Sequence, residues 1–378
     1  MKLLVKKTER LEGQAEVPGS KSHTHRALLL ASLADGVSRI ENMLICDDTS
    51  ATIDACKAIG AEVVGSEIKG VAGNLIKNIG PVDVMNSGTT LRLFSALNSL
   101  LGLGMEMQGD ESIQKRPIQP LLDACEEIKK TGRAEIEGTS SQFVSALLMA
   151  CPLLETDTEI VVRNLRSRPY LEMTLGHLKR VGIGIEKEGN MFKIKGGQIP
   201  KATDFKVPGD FSAAANLLAA AELTGSKVEI ANLETNDVQG DKRILGILRE
   251  KPRQINLNDN PDLLPIVSVL GVKQGIEISG AGHCREKECD RIAAMASELG
   301  KMGVEVEEKP DGLIVGKSSL SGTAVDGHKD HRIVMALAVA GLIAEGETKI
   351  SDAEMLSVSF PNFVEVMQSL GANMEVEG

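Results

Sequence analysis

Four side chains that can carry positive charge, Lys21, His23, His25 and Arg26, stand directly before a hydrocarbon run in the segment PGSKSHTHRALLLASLADG. The run predicts a buried helix. The amino terminus of a helix already carries partial positive charge, so further cations there are unfavourable unless an anion binds beside them. The segment therefore indicates a site for an anionic ligand.

Similar apolar runs recur along the chain, each opened by polar or glycine residues. They begin near residues 27, 91, 143, 213, 263 and 333. The residues at these openings are Lys21, Ser22 and Arg26; Asn86, Ser87, Gly88, Thr89 and Arg92; Ser140, Ser141 and Gln142; Gly209 and Asp210; Asp262; and Asp330, His331 and Arg332. Serine, threonine and aspartate are ordinary helix caps, but capping explains none of the basic residues. Converging helix amino termini would form a large polyanion site.

The regular recurrence indicates one supersecondary unit repeated six times. Amphipathic segments such as LLDACEEIKK lie between the apolar runs, and VEVEEKPDGLIVGK predicts a hairpin around a Pro-Asp-Gly turn. We therefore expect an α/β protein with two domains of three units each. The short intervals after LLDACEEIKKTG and KRILGILREK leave little room for a terminal hairpin, so two units should be shortened.

Composition restricts the class of protein. A length of 378 residues suggests two or three domains. The net charge of −11 argues against nucleic acid as a partner, and no apolar run is long enough to indicate a membrane span. The charged first residues do not read as a signal peptide. The six cysteines form no CxxC pair, which predicts reduced thiols in a cytoplasmic protein.

Ten segments, in chain order, resemble the 5-enolpyruvylshikimate-3-phosphate (EPSP) synthase family, the 3-phosphoshikimate 1-carboxyvinyltransferases. They are PGSKSHTHRALLLASLADG, NSGTTLRL, KRPIQPLLDA, SSQFVSALLMACP, SRPYLEMTL, GDFSAAANLLAAA, QGDKR, NPDLLP, REKECDRIAAMASELGKMG and DHRIVMALAVAGL. The resemblance implies a two-domain inside-out α/β barrel of βαβαββ units. One domain would comprise residues 1–17 and 211–378 and the other residues 18–210, with the active site in the cleft between them.

The resemblance also implies an activity: transfer of the enolpyruvyl group of phosphoenolpyruvate to the 5-hydroxyl of shikimate 3-phosphate, with release of phosphate. It implies a cytoplasmic monomer that needs no cofactor and no metal. The residues expected to bind phosphoenolpyruvate are Lys21, Gly88, Arg92, Arg116, Gln142, Lys287, Arg291, His331 and Arg332. Those expected to bind shikimate 3-phosphate are Lys21, Ser22, Arg26, Ser140, Ser141, Gln142, Ser167, Tyr170 and Asp262.

Proton transfer is implied for Asp262, Glu288 and Lys21. Asp262 follows Pro261 and precedes a wholly apolar run, so we expect partial burial to raise its pKa, as a general base requires. Glu288 and Arg291 are three residues apart and would share a helix face. Val358 stands where several family members have a lysine near phosphoenolpyruvate, so that lysine's role is not carried over.

Two alternative functions remain open at this point. A sister family transfers enolpyruvate to UDP-N-acetylglucosamine and has a reactive cysteine before its RP-containing helix. The corresponding stretch here, QGDESIQKRPI, contains none. A non-catalytic relative that binds shikimate 3-phosphate is the other alternative, and the presence of Lys21, Asp262, Glu288 and Arg291 argues against it. Phosphate release with each acceptor discriminates the three.

Overall fold

The chain leaves its first compact unit after Pro18 and returns to it after Pro208. In the computed structural model, which describes residues Met1–Gly378, one unit comprises Met1–Pro18 and Gly209–Gly378, and the other comprises Gly19–Pro208. We call them the terminal unit and the inserted unit. Each unit has its own hydrophobic core.

The elements are given in chain order. The first strands of the terminal unit are β1 (Lys2–Lys6) and β2 (Glu12–Ala15). The inserted unit contains α1 (Lys21–Leu33), β3 (Val37–Glu41), α2 (Asp47–Ala58), β4 (Glu62–Val64), β5 (Glu67–Lys69), β6 (Gly80–Asp83), α3 (Gly88–Leu101), β7 (Met105–Gln108), α4 (Glu111–Lys115), α5 (Gln119–Thr131), β8 (Arg133–Glu137), α6 (Ser141–Ala150), β9 (Thr158–Arg163), α7 (Arg168–Arg180), β10 (Ile185–Glu188), β11 (Met191–Ile194) and β12 (Phe205–Lys206).

The terminal unit then continues with α8 (Phe211–Leu223), β13 (Lys227–Ile230), α9 (Ile244–Glu250), β14 (Gln254–Asn256), α10 (Leu264–Gly271), β15 (Ile276–Ser279), α11 (Arg291–Lys301), β16 (Val306–Lys309), β17 (Gly312–Val315), β18 (Ala324–Val325), α12 (His331–Gly341), β19 (Glu347–Ile350), α13 (Phe363–Ser369) and β20 (Met374–Glu377). No helix of the chain is long and apolar enough to cross a membrane.

Each unit contains two four-stranded sheets and one two-stranded sheet. The orders are β12-β3-β5-β4, β10-β11-β9-β8 and β6-β7 in the inserted unit, and β18-β19-β1-β20, β14-β15-β17-β16 and β13-β2 in the terminal unit. Every sheet contains one parallel pair, and the four larger sheets add antiparallel strands. The two small sheets precede the short intervals that follow LLDACEEIKKTG and KRILGILREK.

The apolar runs form the innermost helices α1, α3, α6, α8, α10 and α12. In α1 every residue from His23 to Leu33 is buried, as a helix without a polar face requires. Because a parallel pair needs a crossover, helices such as α3 and α6 connect neighbouring parallel strands.

The predicted helix openings are confirmed in register. The helices begin at Lys21, Gly88, Ser141, Phe211 and His331, while Asp262 lies in a 3-10 turn, Pro261–Leu263, just before α10. The predicted hairpin is also confirmed: β16 and β17 pair antiparallel, with Lys309 opposite Gly312.

Candidate active site

Two arginines of the inserted unit meet at the amino terminus of α3. Arg92 Nη1 donates to the Gly88 carbonyl (3.0 Å) and to Gln142 Oε1 (2.8 Å), which ties α3 to α6. Arg116 Nη2 donates to Asn86 Oδ1 (2.8 Å). A Cβ atom on Gly88 would lie 2.5 Å from Arg116 Nη1 and 2.6 Å from Arg92 Nη1. The missing side chain at Gly88 thus lets two guanidinium groups converge where backbone amides already favour an anion.

Lys21, the first residue of α1, forms an ion pair with the first turn of α2. Its Nζ lies 2.7 Å from Asp48 Oδ2, and both side chains are largely buried. Asp48 lies in the amino-terminal turn of α2, where a carboxylate is favoured by the helix dipole. The ion pair therefore fixes the Lys21 ammonium between two helix amino termini.

Arg26 connects α1 to α7. Its Nε donates to Thr174 Oγ1 (2.8 Å), and its Nη2 donates to the Tyr170 carbonyl (3.1 Å). Burial lowers the pKa of Arg26 to about 10, which leaves it charged at neutral pH. Arg26 thus holds the first turn of α7, which carries Tyr170, against the first turns of α1, which carry Ser22.

The remaining polar candidates of this unit lie at two further helix amino termini. Ser140 caps α6, where its Oγ accepts from the Gln142 amide (3.3 Å), and Gln142 Nε2 donates to Thr89 Oγ1 (3.1 Å). Ser167 is the residue directly before α7. Its backbone is left-handed, with φ of 52°, and its side chain makes no capping hydrogen bond. A hydroxyl at a helix amino terminus that is not used for capping is suited to bind a ligand anion. We use the name basic cluster for the following residues: Lys21, Ser22, Arg26, Gly88, Arg92, Arg116, Ser140, Ser141, Gln142, Ser167 and Tyr170.

A second cluster, in the terminal unit, is built around Arg291, the first residue of α11. Its side chain is 1% exposed. It donates from Nε to Asp330 Oδ2 (2.7 Å), from Nη1 to Asp262 Oδ1 (2.8 Å) and from Nη2 to Glu288 Oε2 (2.5 Å). One buried guanidinium therefore fixes three carboxylates, including the two that the sequence assigned to proton transfer. We call Arg291 with Asp262, Glu288, Lys287, Asp330, His331 and Arg332 the acidic cluster.

Asp262 faces cations from three directions. Besides Arg291, Arg332 Nη2 lies 3.1 Å from Oδ2 and Lys287 Nζ lies 3.6 Å from Oδ1. The sequence did not show these partners. The structure adds three positive charges, on Arg291, Arg332 and Lys287, that attract the carboxylate.

A carboxyl with a raised pKa is present nearby, and it is Asp241. Burial and repulsion from Asp262 raise its pKa to about 7, against the opposing effects of Arg332 and of a hydrogen bond from Ser212. Ser212 Oγ donates to Asp241 Oδ2 (2.5 Å). Asp241 is thus poised to change protonation state near neutral pH within the unit that carries the acidic cluster.

A sequence model of the family described as EPSP synthase (3-phosphoshikimate 1-carboxyvinyltransferase) matches residues 5–251 and 249–367. The two matches together span nearly the whole chain. The chain belongs to the EPSP synthase family.

Individual EPSP synthase relatives agree with that assignment. The chain is 42% identical, over an alignment of 428 positions including gaps, to the 3-phosphoshikimate 1-carboxyvinyltransferase of Methanocaldococcus jannaschii, with 99% of each chain covered. It is 37% identical to that of Acetivibrio thermocellus, with 98% of this chain and 99% of the relative covered. The solved EPSP synthase from Acinetobacter baumannii has the same mixed α/β fold, with a TM-score of 0.81 at 24% identity over 100% of both chains.

The EPSP synthase segments bring the sequence candidates together within each unit. Arg92, Arg116 and Gln142 meet at Gly88, and Asp262, Glu288, Lys287 and Arg332 surround Arg291. His331 is buried at the start of α12, with Nδ1 3.9 Å from Asp330 Oδ1. Val358 is buried in a 3-10 turn, Ala353–Val358. Nothing around Val358 assigns it a role in binding a ligand.

The sequence argument about uncompensated cations was incomplete. Lys21 pairs with Asp48 and Arg332 pairs with Asp262, while Arg26 and Arg92 donate to the carbonyl oxygens of Ser22 and Gly88, four residues earlier in their own helices. The protein thus supplies part of the compensation itself. These partners were missed because an aspartate such as Asp48 in a first helical turn reads as an ordinary helix-start residue.

Proposed function

We propose that the protein transfers the enolpyruvyl group of phosphoenolpyruvate to the 5-hydroxyl of shikimate 3-phosphate and releases phosphate. The observation that carries the proposal is the fixing of Asp262 and Glu288 by the buried Arg291 in a chain of this family. The chemistry requires a base for the hydroxyl and an acid for C3 of phosphoenolpyruvate. Asp262 can accept the hydroxyl proton, and Glu288, once protonated, or the Lys21 ammonium can supply one to C3.

The substrates carry two phosphates and two carboxylates, so their binding requires several cations. We assign phosphoenolpyruvate to Lys21, Arg92, Arg116, Lys287, Arg291 and Arg332, with Gly88, Gln142 and His331 shaping the site. The convergence of Arg92 and Arg116 on Gly88 supports this assignment, because paired guanidinium groups bind phosphate and carboxylate oxygens bidentately.

We assign shikimate 3-phosphate to Lys21, Ser22, Arg26, Ser140, Ser141, Gln142, Ser167, Tyr170 and Asp262. The support comes from the hydroxyls of Ser140, Ser141 and Ser167 at the amino termini of α6 and α7, together with the Arg26 contacts that hold Tyr170 beside Ser22. Backbone amides and hydroxyls at helix amino termini are well suited to a phosphate group.

The reaction then proceeds by addition and elimination. Asp262 accepts the proton of the 5-hydroxyl while the hydroxyl oxygen attacks C2 of phosphoenolpyruvate. Lys21 or Glu288 protonates C3. Loss of a C3 proton to the same group then expels phosphate from C2 and restores the double bond. The cations around Asp262 attract a negative charge at that carboxyl group, and a base must be ionised before it accepts the hydroxyl proton. No cofactor takes part.

We further propose that the two units form the family's inside-out α/β barrel, with six βαβαββ units of which two lack a hairpin. The two-stranded sheets β6-β7 and β13-β2 support this assignment. We also propose that the protein acts as a cytoplasmic monomer. Gel filtration at micromolar concentration tests the oligomeric state, and an elution volume of a dimer would contradict it.

Phosphate release tests the activity. Wild type should release phosphate from phosphoenolpyruvate only when shikimate 3-phosphate is present, and Asp262→Ala should lose nearly all of that rate. Release with UDP-N-acetylglucosamine instead would assign the protein to the sister reaction. Binding of shikimate 3-phosphate without any release would make it a non-catalytic relative.

A further inference from the structure

Helix α11 contacts the segment before α12 at two points. Arg291 and Glu298 are seven residues apart on α11 and therefore lie on one face of the helix. Arg291 Nε donates to Asp330 Oδ2 (2.7 Å). Two turns further along, Glu298 Oε1 accepts from His328 Nε2 (2.9 Å) and Oε2 accepts from the Asp326 amide (2.9 Å). Both ends of the segment Asp326–Asp330 are thus fastened to the same helix.

The segment between those contacts has an unusual backbone. His328 and Lys329 have φ angles of 51° and 50°, in the left-handed region that residues other than glycine adopt only when their surroundings hold them there. Backbone amides of the segment donate to side chains: His328 N to Asp326 Oδ1 (2.7 Å), and Lys329 N to Asp352 Oδ2 (3.0 Å). Two consecutive strained residues need such contacts to persist.

Glu298 is fully buried. It lies two helical turns from Arg291 and does not belong to the acidic cluster. Burial raises the pKa of its carboxyl, but hydrogen bonds from Lys301, the Asp326 amide, His328 and Ser297 outweigh burial and lower it. A buried carboxylate is retained only where it is paired, and the proposed reaction does not use this one. Besides Ser297 and the surface side chain of Lys301, its partners lie in the segment Asp326–Asp330.

The segment Asp326–Asp330 determines the position of Asp330, its last residue. Its carboxylate is fully buried, caps α12 by accepting from the Arg332 amide (2.8 Å), and accepts from Nε (2.7 Å) and Nη2 (3.4 Å) of Arg291. A displacement of Asp330 would move Arg291, and with it both carboxylates assigned to proton transfer. Glu298 is therefore linked to the acidic cluster through this segment: it contacts His328 and the Asp326 amide, and Asp330, at the end of the segment, contacts Arg291.

We propose that Glu298, acting through His328, is a positioning residue for the reaction: it holds the strained segment Asp326–Asp330 in the conformation that sets Arg291 between Asp262 and Glu288. This inference rests on the proposed function, because the reaction defines what Arg291 must position. Neither Glu298 nor His328 is expected to touch a substrate.

The test compares two glycine substitutions at neighbouring left-handed positions. His328→Gly keeps a backbone that accepts φ of 51° and removes the donor to Glu298. Lys329→Gly, the matched control, relieves the same kind of strain and leaves that donor in place. Steady-state kinetics should show kcat/KM for phosphoenolpyruvate about 10- to 100-fold lower in His328→Gly than in Lys329→Gly, with a raised KM, because a small misplacement of positioning groups costs that much. Glu298→Gln should give the same pattern, since an amide cannot accept from all four donors.

The binding of shikimate 3-phosphate separates positioning from general damage. All of its proposed ligands except Asp262 belong to the inserted unit, so calorimetry should show a smaller fold-change in the Kd of His328→Gly for shikimate 3-phosphate than kinetics show in its KM for phosphoenolpyruvate. A purely structural role would lower the active fraction and thus kcat, with KM for phosphoenolpyruvate unchanged, and that result would overturn the inference. Equal kinetics in His328→Gly and Lys329→Gly would overturn it too. An inactive wild type would instead refute the proposed function.

Discussion

Lys21 Nζ lies 2.7 Å from Asp48 Oδ2, in an ion pair that joins the first turns of α1 and α2. The two residues are 27 positions apart, and both are largely shielded from solvent. Since Lys21 is assigned to both substrates and to proton transfer, the position of its ammonium depends on this carboxylate.

Asp48→Asn should therefore lower kcat about 10- to 100-fold, because the amide keeps the shape of the carboxylate but holds the ammonium less firmly. Steady-state phosphate release checks it. Asp54→Asn is the control on the same helix, since Asp54 is exposed and its ion pair with Lys57 is 3.6 Å long. Equal rates in the two variants would show that Asp48 does not position Lys21.

Gly88→Ala should weaken phosphoenolpyruvate binding. The added Cβ would lie 2.5 Å and 2.6 Å from the Nη1 atoms of Arg116 and Arg92, so at least one guanidinium must move. We expect KM for phosphoenolpyruvate to rise about tenfold or more, in keeping with the loss of one charge-assisted contact. Thermal unfolding should change little, because the displaced groups are flexible side-chain ends.

Gly176→Ala provides the control for that substitution. Gly176 lies within α7 with no heavy atom within 4 Å of an added Cβ. Alanine there should leave KM unchanged and stabilise the helix by about 0.5–1 kcal/mol. A normal KM in Gly88→Ala would mean that Arg92 and Arg116 do not bind phosphoenolpyruvate.

Asp241 should make the stability of the terminal unit depend on pH. Its pKa is raised to about 7 in the folded protein, from a usual value of 3.8. The folded state therefore holds the proton more tightly than the unfolded state does. The resulting stabilisation is complete below 3.8, the pKa of the carboxyl in the unfolded state, and is lost as pH rises through about 7.

Asp241→Asn removes this dependence, because an asparagine stays neutral at every pH. Between pH 5 and pH 8 the free energy of unfolding of the variant should gain about 2–3 kcal/mol relative to wild type. Urea unfolding followed by circular dichroism at both pH values measures it. Glu250→Gln, at an exposed position, should show no such trend, and a flat difference for Asp241→Asn would contradict the assigned titration.

The sequence predicted elements whose signals are local. The buried helices begin where polar residues meet the apolar runs, and the Pro310–Gly312 turn joins β16 and β17, because capping, periodicity and turn preference act over a few residues. The short intervals between repeats likewise follow the two-stranded sheets β6-β7 and β13-β2.

The side-chain partners could not be predicted in that way. Arg332 reaches Asp262 across 70 positions, and Arg291 reaches Asp330 across 39. Such pairs follow from which helices lie side by side, and no periodic pattern records that. Asp241 was missed because nothing local in QGDKR shows that the carboxyl is buried, and the ion pairs of Asp262 were not predicted because their cations lie on other elements.

Arg291 should be the residue of the terminal unit whose loss costs the most stability. Arg291→Met keeps an apolar chain of similar length but leaves Asp330, Glu288 and Asp262 without the cation that they share. Removing one partner of a buried ion pair typically costs about 3–5 kcal/mol. Arg249→Met is the control: Arg249 is exposed and pairs only with its neighbour Glu250, so we expect at most about 1 kcal/mol.

The pH dependence of that loss identifies its cause. Buried carboxylates without a cation are easier to protonate, and a protonated carboxyl no longer needs the guanidinium. The difference in free energy of unfolding between wild type and Arg291→Met should therefore be smaller at pH 5 than at pH 8. A loss that is the same at both values would mean that Arg291 stabilises the unit through packing of its side chain, and the carboxylates would then not depend on its charge for their placement.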